Sequence, residues 1–505
     1  MIDVSHAPAA GPRPHRAWLA ALLSFVFPGL GQAYAGQTRA ALLLAIPVIL
    51  LVIAVLLLLT GALGGIRNSL LSNDFLVGVL VANGALLAWR GVAIAHAGLT
   101  PWPGIRGHER RTALIVVAGM LVATVAMHGW IGGVVVQLNE TLSQVFAPEQ
   151  PGGAAAPPAG DEDDDEPDAE DSLNEPDYHW DGTERINVLL LGTDAAPGRE
   201  AVLTDVVLVV SVDPVEQTAV MISVPRDTGF VPLPDESLFL GGLFPERVNA
   251  LGALAAQMPR TWCPDLDDDD AAACGLRTME RSIGLYLGIE IHHYALVNMA
   301  GFAEMIDAVG GLDLCLPGRL VDPEFDGSLE NNQADEPLIL PAGCHPYDGL
   351  DALAYARSRK GWIEMADGTR VVQTDFKRNE RQQRVLLALR RELAESDTFV
   401  ELPGILQAIG RTVSTDFPRS RAGDLASLLP LIAGPDIERI VLGYPGFVDL
   451  PAQPDVNYLL IPQREAIREE MARIFGADAL IGWYLGSDAI APGDEATTGS
   501  GAATP

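Results

Sequence analysis

Residues 186–224 read INVLLLGTDAAPGREAVLTDVVLVVSVDPVEQTAVMISV, and three runs inside this stretch set the fold class. Ile186 to Leu191 (INVLLL), Asp205 to Val212 (DVVLVVSV) and Ala219 to Val224 (AVMISV) are short, apolar or alternating, and rich in Val and Ile. Branched side chains suit a pleated surface, so each run predicts a buried strand. Further on, Phe302, Met305, Ile306 and Val309 fall at i, i+3, i+4 and i+7 ahead of Gly310 and Gly311, which predicts an amphipathic helix with a glycine stop. Arg378 to Ser396 predicts a second long helix, with Val385, Leu386, Leu389 and Leu393 on its buried stripe. Helices distributed among strands predict a layered α/β (α+β) domain with a central mixed sheet, placed here at residues 185–476.

Upstream the sequence changes character. Residues 40–63 carry no charge, and residues 112–136 have His128 as their only ionisable group. At 1.5 Å rise per residue, either run spans a hydrocarbon core about 30 Å thick. Pro47 should kink the first. Residues 75–97 make a third span, with Arg90 and His96 in its last third, where long cationic side chains snorkel to the interface. Segment 17–35 is interrupted by Pro28, Gly29 and Gly31 and reads as re-entrant or interfacial. Three basic clusters (Arg13 and Arg16; Arg39; Arg90, Arg106, Arg110 and Arg111) all fall on the cytoplasmic side if residues 1–16 are cytoplasmic and three helices cross. An all-α transmembrane region at 17–137 then delivers the rest of the chain outside, so the expected protein is multi-pass in the cell membrane with an extracellular domain. A cleavable signal peptide fits less well, because the apolar stretch is long and more spans follow.

The chain has 505 residues, with 33 Lys+Arg against 66 Asp+Glu and a net charge of −33. Sequence-independent affinity for nucleic acid needs clustered cations that displace counterions, so no nucleic acid is expected as a partner. Lys360 and Lys377 are the only lysines, so nearly all positive charge is arginine. Residues 138–184 shift to Pro, Gly, Ala and acid, with nine carboxylates in the eleven residues 161–171. Such a run predicts a self-repelling disordered linker, and its spacing matches no EF-hand loop. Residues 477–505 are expected to be a tail, disordered at least from 486. Cys263, Cys274, Cys315 and Cys344 all lie in the outer part. An even set there favours disulfides over zinc, for which no CxxC spacing exists. Of the three possible pairings, Cys263 with Cys274 and Cys315 with Cys344 closes the shorter loops.

Three arginine-bearing stretches carry the chemistry: Pro225-Arg226-Asp227-Thr228 after a strand, Tyr355-Ala356-Arg357-Ser358-Arg359-Lys360, and Asp375 to Gln383 (DFKRNERQQ). In an extended segment Arg357 and Arg359 point to one side. On a helix Arg378 shares a face with Arg381 and with Gln382. Paired guanidinium groups in so acidic a chain predict a local positive pocket, and the ligand such forks fit best is a phosphate or pyrophosphate. Asp194 ends the first strand and Asp205 begins the second, so both are expected at one sheet edge, either as turn-forming aspartates or as hard oxygen ligands for Mg2+.

The order LLLGTD, TDVVLVVSVDP, ISVPRDT, RVNA, the glycine-stopped helix before DLCLP, LPAG followed by YDGLDALAYARSRK, then DFKRNERQQ resembles the LytR-CpsA-Psr family of cell-wall glycopolymer transferases. The resemblance covers residues 185–400 and continues more loosely to 476. It implies transfer of a glycan from a polyprenyl-pyrophosphate carrier to a peptidoglycan hydroxyl by a membrane-anchored enzyme. It also implies that Asp194 and Asp205 hold Mg2+ (or Mn2+), and that Arg226, Arg357, Arg359, Arg378 and Arg381 bind the pyrophosphate with Gln382 nearby. Asp227 or Asp375 would assist as base. Thr204-Asp205-Val206 stands where the family commonly has Ser-Asp-Thr, and residues 259–274 (PRTWCPDLDDDDAAAC) look like a local elaboration without an assigned role. The cysteine-bearing stretches and the arginine bias point to the actinobacterial type. Two rival readings share the pocket: a non-catalytic glycan-lipid carrier or wall scaffold, and a prenyl-pyrophosphate pyrophosphatase that uses water as acceptor.

Overall fold

The structure, a computed structural model, describes residues 16–59, 68–100, 107–146, 184–193, 203–266, 271–325, 337–395, 402–432, 437–451 and 458–481. The chain divides into two units, residues 1–142 with 420–423, and residues 143–419 with 424–505.

The first unit is helical. Ala17–Val26 and Leu30–Tyr34 are separated by a reversal at Phe27–Gly29, where Pro28 withholds an N–H and Gly29 adopts φ 100°. The break expected at this segment is therefore present. Thr38–Leu59 follows with Pro47 inside it. Asn73–Leu99 and Arg110–Val145 are long and apolar enough to cross a membrane. The Arg90 guanidinium donates to the Phe25 carbonyl at 2.6 Å, in the last turn before the break. Gln32 accepts from the Ser24 hydroxyl (2.9 Å) and donates to the Ala93 carbonyl (2.8 Å), a polar tie between apolar helices. The helix that begins at Gly107 runs to Val145, so residues 138–145, expected in the linker, are helical. The acidic run 161–171 lies outside the described residues.

The second unit is built on a six-stranded mixed sheet. Its strands are β1 (Ile186–Thr193), β2 (Thr204–Asp213), β3 (Thr218–Ser223), β4 (His293–Asn298), β5 (Val413–Thr415) and β6 (Glu438–Val441), in the order β5-β4-β1-β2-β3-β6. The first three are the runs predicted from the sequence. Neighbours are antiparallel except β1 with β4 and β3 with β6. Alternation gives the sheet two working faces. Leu189 and Leu191 enter one core with Val207, Val209 and Ile222, covered by α1 (Val248–Gln257), α2 (Ala271–Leu287) and α7 (Arg464–Phe475). Leu190, between the two leucines, points to the opposite side, where it lines a cavity. A second core joins α3 (Met299–Ala308), α4 (Gly349–Arg357), α5 (Asp375–Glu395) and α6 (Leu402–Thr412). The glycine stop after α3 is present, with Gly310 and Gly311 at φ 91° and 99°.

Several details differ from expectation. On α5, Val385 and Leu389 are buried but Leu393 is 38% exposed; an i, i+4, i+8 stripe fixes the inward face and not how far the neighbouring element extends. Folded structure continues past 476: Leu480 packs on the first core and Ile481 donates its N–H to the Gly288 carbonyl at 3.0 Å. The cysteines pair locally, Cys263 with Cys274 and Cys315 with Cys344. The first bond staples the 259–274 elaboration, whose Trp262 packs edge-on against Phe244 at 6.2 Å. The second joins directly opposed residues of two antiparallel strands, Leu312–Leu316 and Gly343–Tyr347.

Candidate functional site

Strand β3 ends at Ser223, and the following turn, closed by the Thr228 N–H on the Pro225 carbonyl at 3.0 Å, presents Arg226. The N-terminal end of α1 fixes this turn, because the amides of Val248 and Asn249 donate to the carbonyls of Thr228 (2.8 Å) and Arg226 (3.2 Å). Helix α5 brings Arg378 and Gln382 to the same place. It is pinned to the sheet by buried Gln383, which donates to the Ser223 hydroxyl (2.8 Å) and the Ile440 carbonyl (3.0 Å). Helix α4 ends at Arg357, and Arg359 follows two residues later. The extended setting expected for this pair is thus half helix end and half coil, yet both side chains reach the same wall.

That wall encloses a cavity of about 290 Å3, lined by Asp205, Arg226, Arg357, Arg359, Arg378 and Gln382. The rest is apolar, contributed by Leu190 and Val206 of the sheet, Met299 and Phe302 of α3, Leu353 of α4 and Leu386 of α5. Guanidinium groups from three stretches distant in sequence therefore share one cavity with a hydrocarbon surface.

The charges are arranged in layers. Arg226 donates to Asp205 at 2.6 Å and lies 3.8 Å from Asp227 and 3.9 Å from Asp375. Burial alone would lower its pKa, but Asp205, Asp375 and Asp227 outweigh that and raise it. Arg378 is 3% exposed and pairs with Asp375 at 3.1 Å. Burial lowers its pKa, opposed by Asp375. Asp227 sits beside Arg226 rather than on the cavity wall. Its carboxyl is pushed upward first by burial and then by Asp375, against Arg226, Arg247 and Arg378.

Arg381 does not join the wall. One helical turn from Arg378, its guanidinium turns the other way, donating to the carbonyls of Tyr355 (2.8 Å) and Ser358 and to the side-chain oxygen of Gln373. The shared face read from the sequence is corrected here: a spacing of three leaves about 60° between side chains, enough to send one inward and the other beneath α4. Asp322 had no signal of its own in the sequence. It is buried and accepts from the Ser358 hydroxyl at 2.8 Å.

As for a metal, Asp194 lies outside the described residues. Among the described residues no group of three or more His, Cys, Asp or Glu side chains forms a metal cage. Asp205 is a single hard-oxygen donor on the cavity wall, already paired with Arg226. Such a donor set fits Mg2+, which binds through one or two carboxylates, water and substrate phosphate oxygens, better than any metal that needs a complete protein shell.

The description of the LytR_cpsA_psr family matches residues 157–451 of the chain. The chain belongs to the LytR_cpsA_psr family. Among its relatives, the polyisoprenyl-teichoic acid–peptidoglycan teichoic acid transferase TagU of Halalkalibacterium halodurans is 28% identical over 312 residues, 61% of this chain and 84% of the relative. The regulatory protein MsrR of Staphylococcus aureus is 28% identical over 236 residues, 47% of this chain and 58% of MsrR. The crystal structure of B. subtilis TagV aligns at 21% identity over 59% of this chain and 99% of TagV, with a TM-score of 0.41.

Proposed function

We propose that this LytR_cpsA_psr member is a phosphotransferase that moves a glycopolymer from a polyprenyl-pyrophosphate carrier to a peptidoglycan hydroxyl. The observation that carries the reading is the single cavity in which Arg226, Arg357, Arg359 and Arg378 meet an apolar wall. A diphosphate on a hydrocarbon chain is the ligand class that needs both. The name of the TagU relative, a polyisoprenyl-teichoic acid–peptidoglycan teichoic acid transferase, supports the same reading.

In the proposed reaction the acceptor hydroxyl oxygen bonds to the glycan-bearing phosphorus. The bond from that phosphorus to the bridging oxygen breaks, and polyprenyl phosphate leaves with the electron pair. Phosphoryl transfer needs positioning and charge neutralisation more than covalent catalysis. The four arginines hold the phosphate oxygens, and the apolar residues hold the first isoprene units and exclude water. Asp227 or Asp375 takes the hydroxyl proton. Asp205, with Asp194 as the second expected ligand, would hold Mg2+ or Mn2+, which supplies further neutralisation of phosphate charge. In this reading the apolar N-terminal helices keep the protein in the membrane as a multi-pass protein, three helices crossing, with the catalytic domain extracellular where lipid carrier and peptidoglycan meet.

The test incubates the detergent-solubilised full chain with a prenyl-pyrophosphate glycan, Mg2+ and oligomeric peptidoglycan. Glycan attached to peptidoglycan, and lost in Arg359→Ala, is the expected result. Phosphate released without attachment would make the protein a pyrophosphatase, and bound but unchanged lipid would make it a carrier.

A further inference from the structure

Two buried charged side chains grip the short segment that carries Arg357 and Arg359. On one side Asp322, 1% exposed, accepts from the Ser358 hydroxyl (2.8 Å) and from the consecutive amides of Arg359 and Lys360 (3.2 Å each). Successive N–H groups converging on one oxygen form an anion-binding nest, here filled by the protein's own carboxylate. On the other side Arg381, 2% exposed, donates to the Tyr355 and Ser358 carbonyls and to Gln373. Tyr355 belongs to the last turn of α4, whose outward carbonyls carry the negative end of the helix dipole. Arg357, the final residue of that helix, lines the cavity. A phosphate held there would be repelled by a bare helix C-terminus, and Arg381 places a cation on it.

We propose that Asp322 and Arg381 are positioning residues: they clamp residues 358–360 from both sides, aim Arg357 and Arg359 into the cavity, and neutralise the end of α4 without touching the ligand. The proposal rests on the diphosphate reading of the cavity. Burying two full charges is costly unless every donor and acceptor is used. Here one Asp322 oxygen accepts from the Glu324 amide and one Arg381 donor goes to Gln373, while their remaining bonds all go to residues 355–360, which is the pattern of a support for that turn.

The test measures binding to the full-length protein in detergent micelles, with geranylgeranyl diphosphate as probe and geranylgeraniol as the apolar control. Arg381→Lys keeps the charge but cannot fork across three acceptors, and Asp322→Asn keeps one carbonyl oxygen. Each is expected to weaken diphosphate binding about tenfold and to leave alcohol binding unchanged. Combined with Arg357→Ala and Arg359→Ala, neither should cause further loss, because the clamp has nothing left to aim. Losses that add in full make Arg381 a direct ligand contact and overturn the proposal, as does diphosphate binding that the single variants leave intact. Should a single variant lose its circular-dichroism signal, Ser358→Ala, which removes one donor to Asp322, carries the same readout. A parent protein that binds the alcohol but not the diphosphate sinks the proposed function itself, and the clamp with it.

Discussion

At Arg226, three carboxylates lie within 3.9 Å of one guanidinium. Truncating it strands those carboxylates in a partly buried site, so Arg226→Ala tests folding and function together. Arg226→Lys separates them: the charge stays and the fork is lost. It should lower transfer kcat/KM by about tenfold or more with a melting temperature near that of the parent. Glu280 on α2 allows a test on the other face of the sheet. Its carboxyl is pushed up to about 8, first by burial and then by the charge of Asp416, against Arg281 and Arg277. The fold therefore favours its neutral form, so its contribution is complete below the usual carboxylate range and is lost as pH rises toward 8. Thermal melts should show Glu280→Gln matching the parent near pH 4.5 and exceeding it near pH 8.5; equal melting temperatures at both would contradict this. Of the cavity residues, Arg226, Arg357, Arg359, Arg378 and Gln382 were legible in the sequence because motif and residue type coincide. Asp322 was not, because the turn it holds lies more than thirty positions away. Arg381 was misread because spacing along a helix gives a direction only to within a face.

Among the elements, α4 depends on a close approach that only glycine permits. An added Cβ at Gly349 would stand 2.1 Å from the Ala303 carbonyl oxygen of α3. Since α3 contributes Met299 and Phe302 to the cavity, and α4 contributes Leu353 and Arg357, separating the two helices changes its shape. Gly349→Val should cost about 1–3 kcal/mol of stability and weaken prenyl-diphosphate binding at temperatures where the protein remains folded. Unchanged chemical denaturation would show that the helices accommodate the side chain. Strands β1 to β3 were readable because a buried run of Val, Ile and Leu needs no partner to declare itself. The end of α4 at Arg357 and the outward turn of Leu393 depend on neighbours far along the chain, and periodicity carries no record of them. The helix that continues to Val145 passes beyond the apolar stretch, so hydropathy marked where the lipid-like sequence stops and not where the helix does.

For the whole molecule, a chain of net charge −33 gathers four of its arginines on one cavity wall. Such a local reversal of sign focuses an anionic ligand where the surrounding surface would repel it. In the proposed function the apolar lining takes the lipid tail; the N-terminal unit has two helices that are, by length and composition, long and apolar enough to cross a membrane. The measurement that bears most directly on this account is mass spectrometry of the lipid that co-purifies with the full-length protein from its membrane. A polyprenyl diphosphate, with or without glycan, should accompany the parent protein and be depleted in a variant carrying Arg357→Ala and Arg359→Ala. A protein that carries no such lipid, or a variant that retains it undiminished, would contradict the assignment of this cavity to a lipid-linked diphosphate.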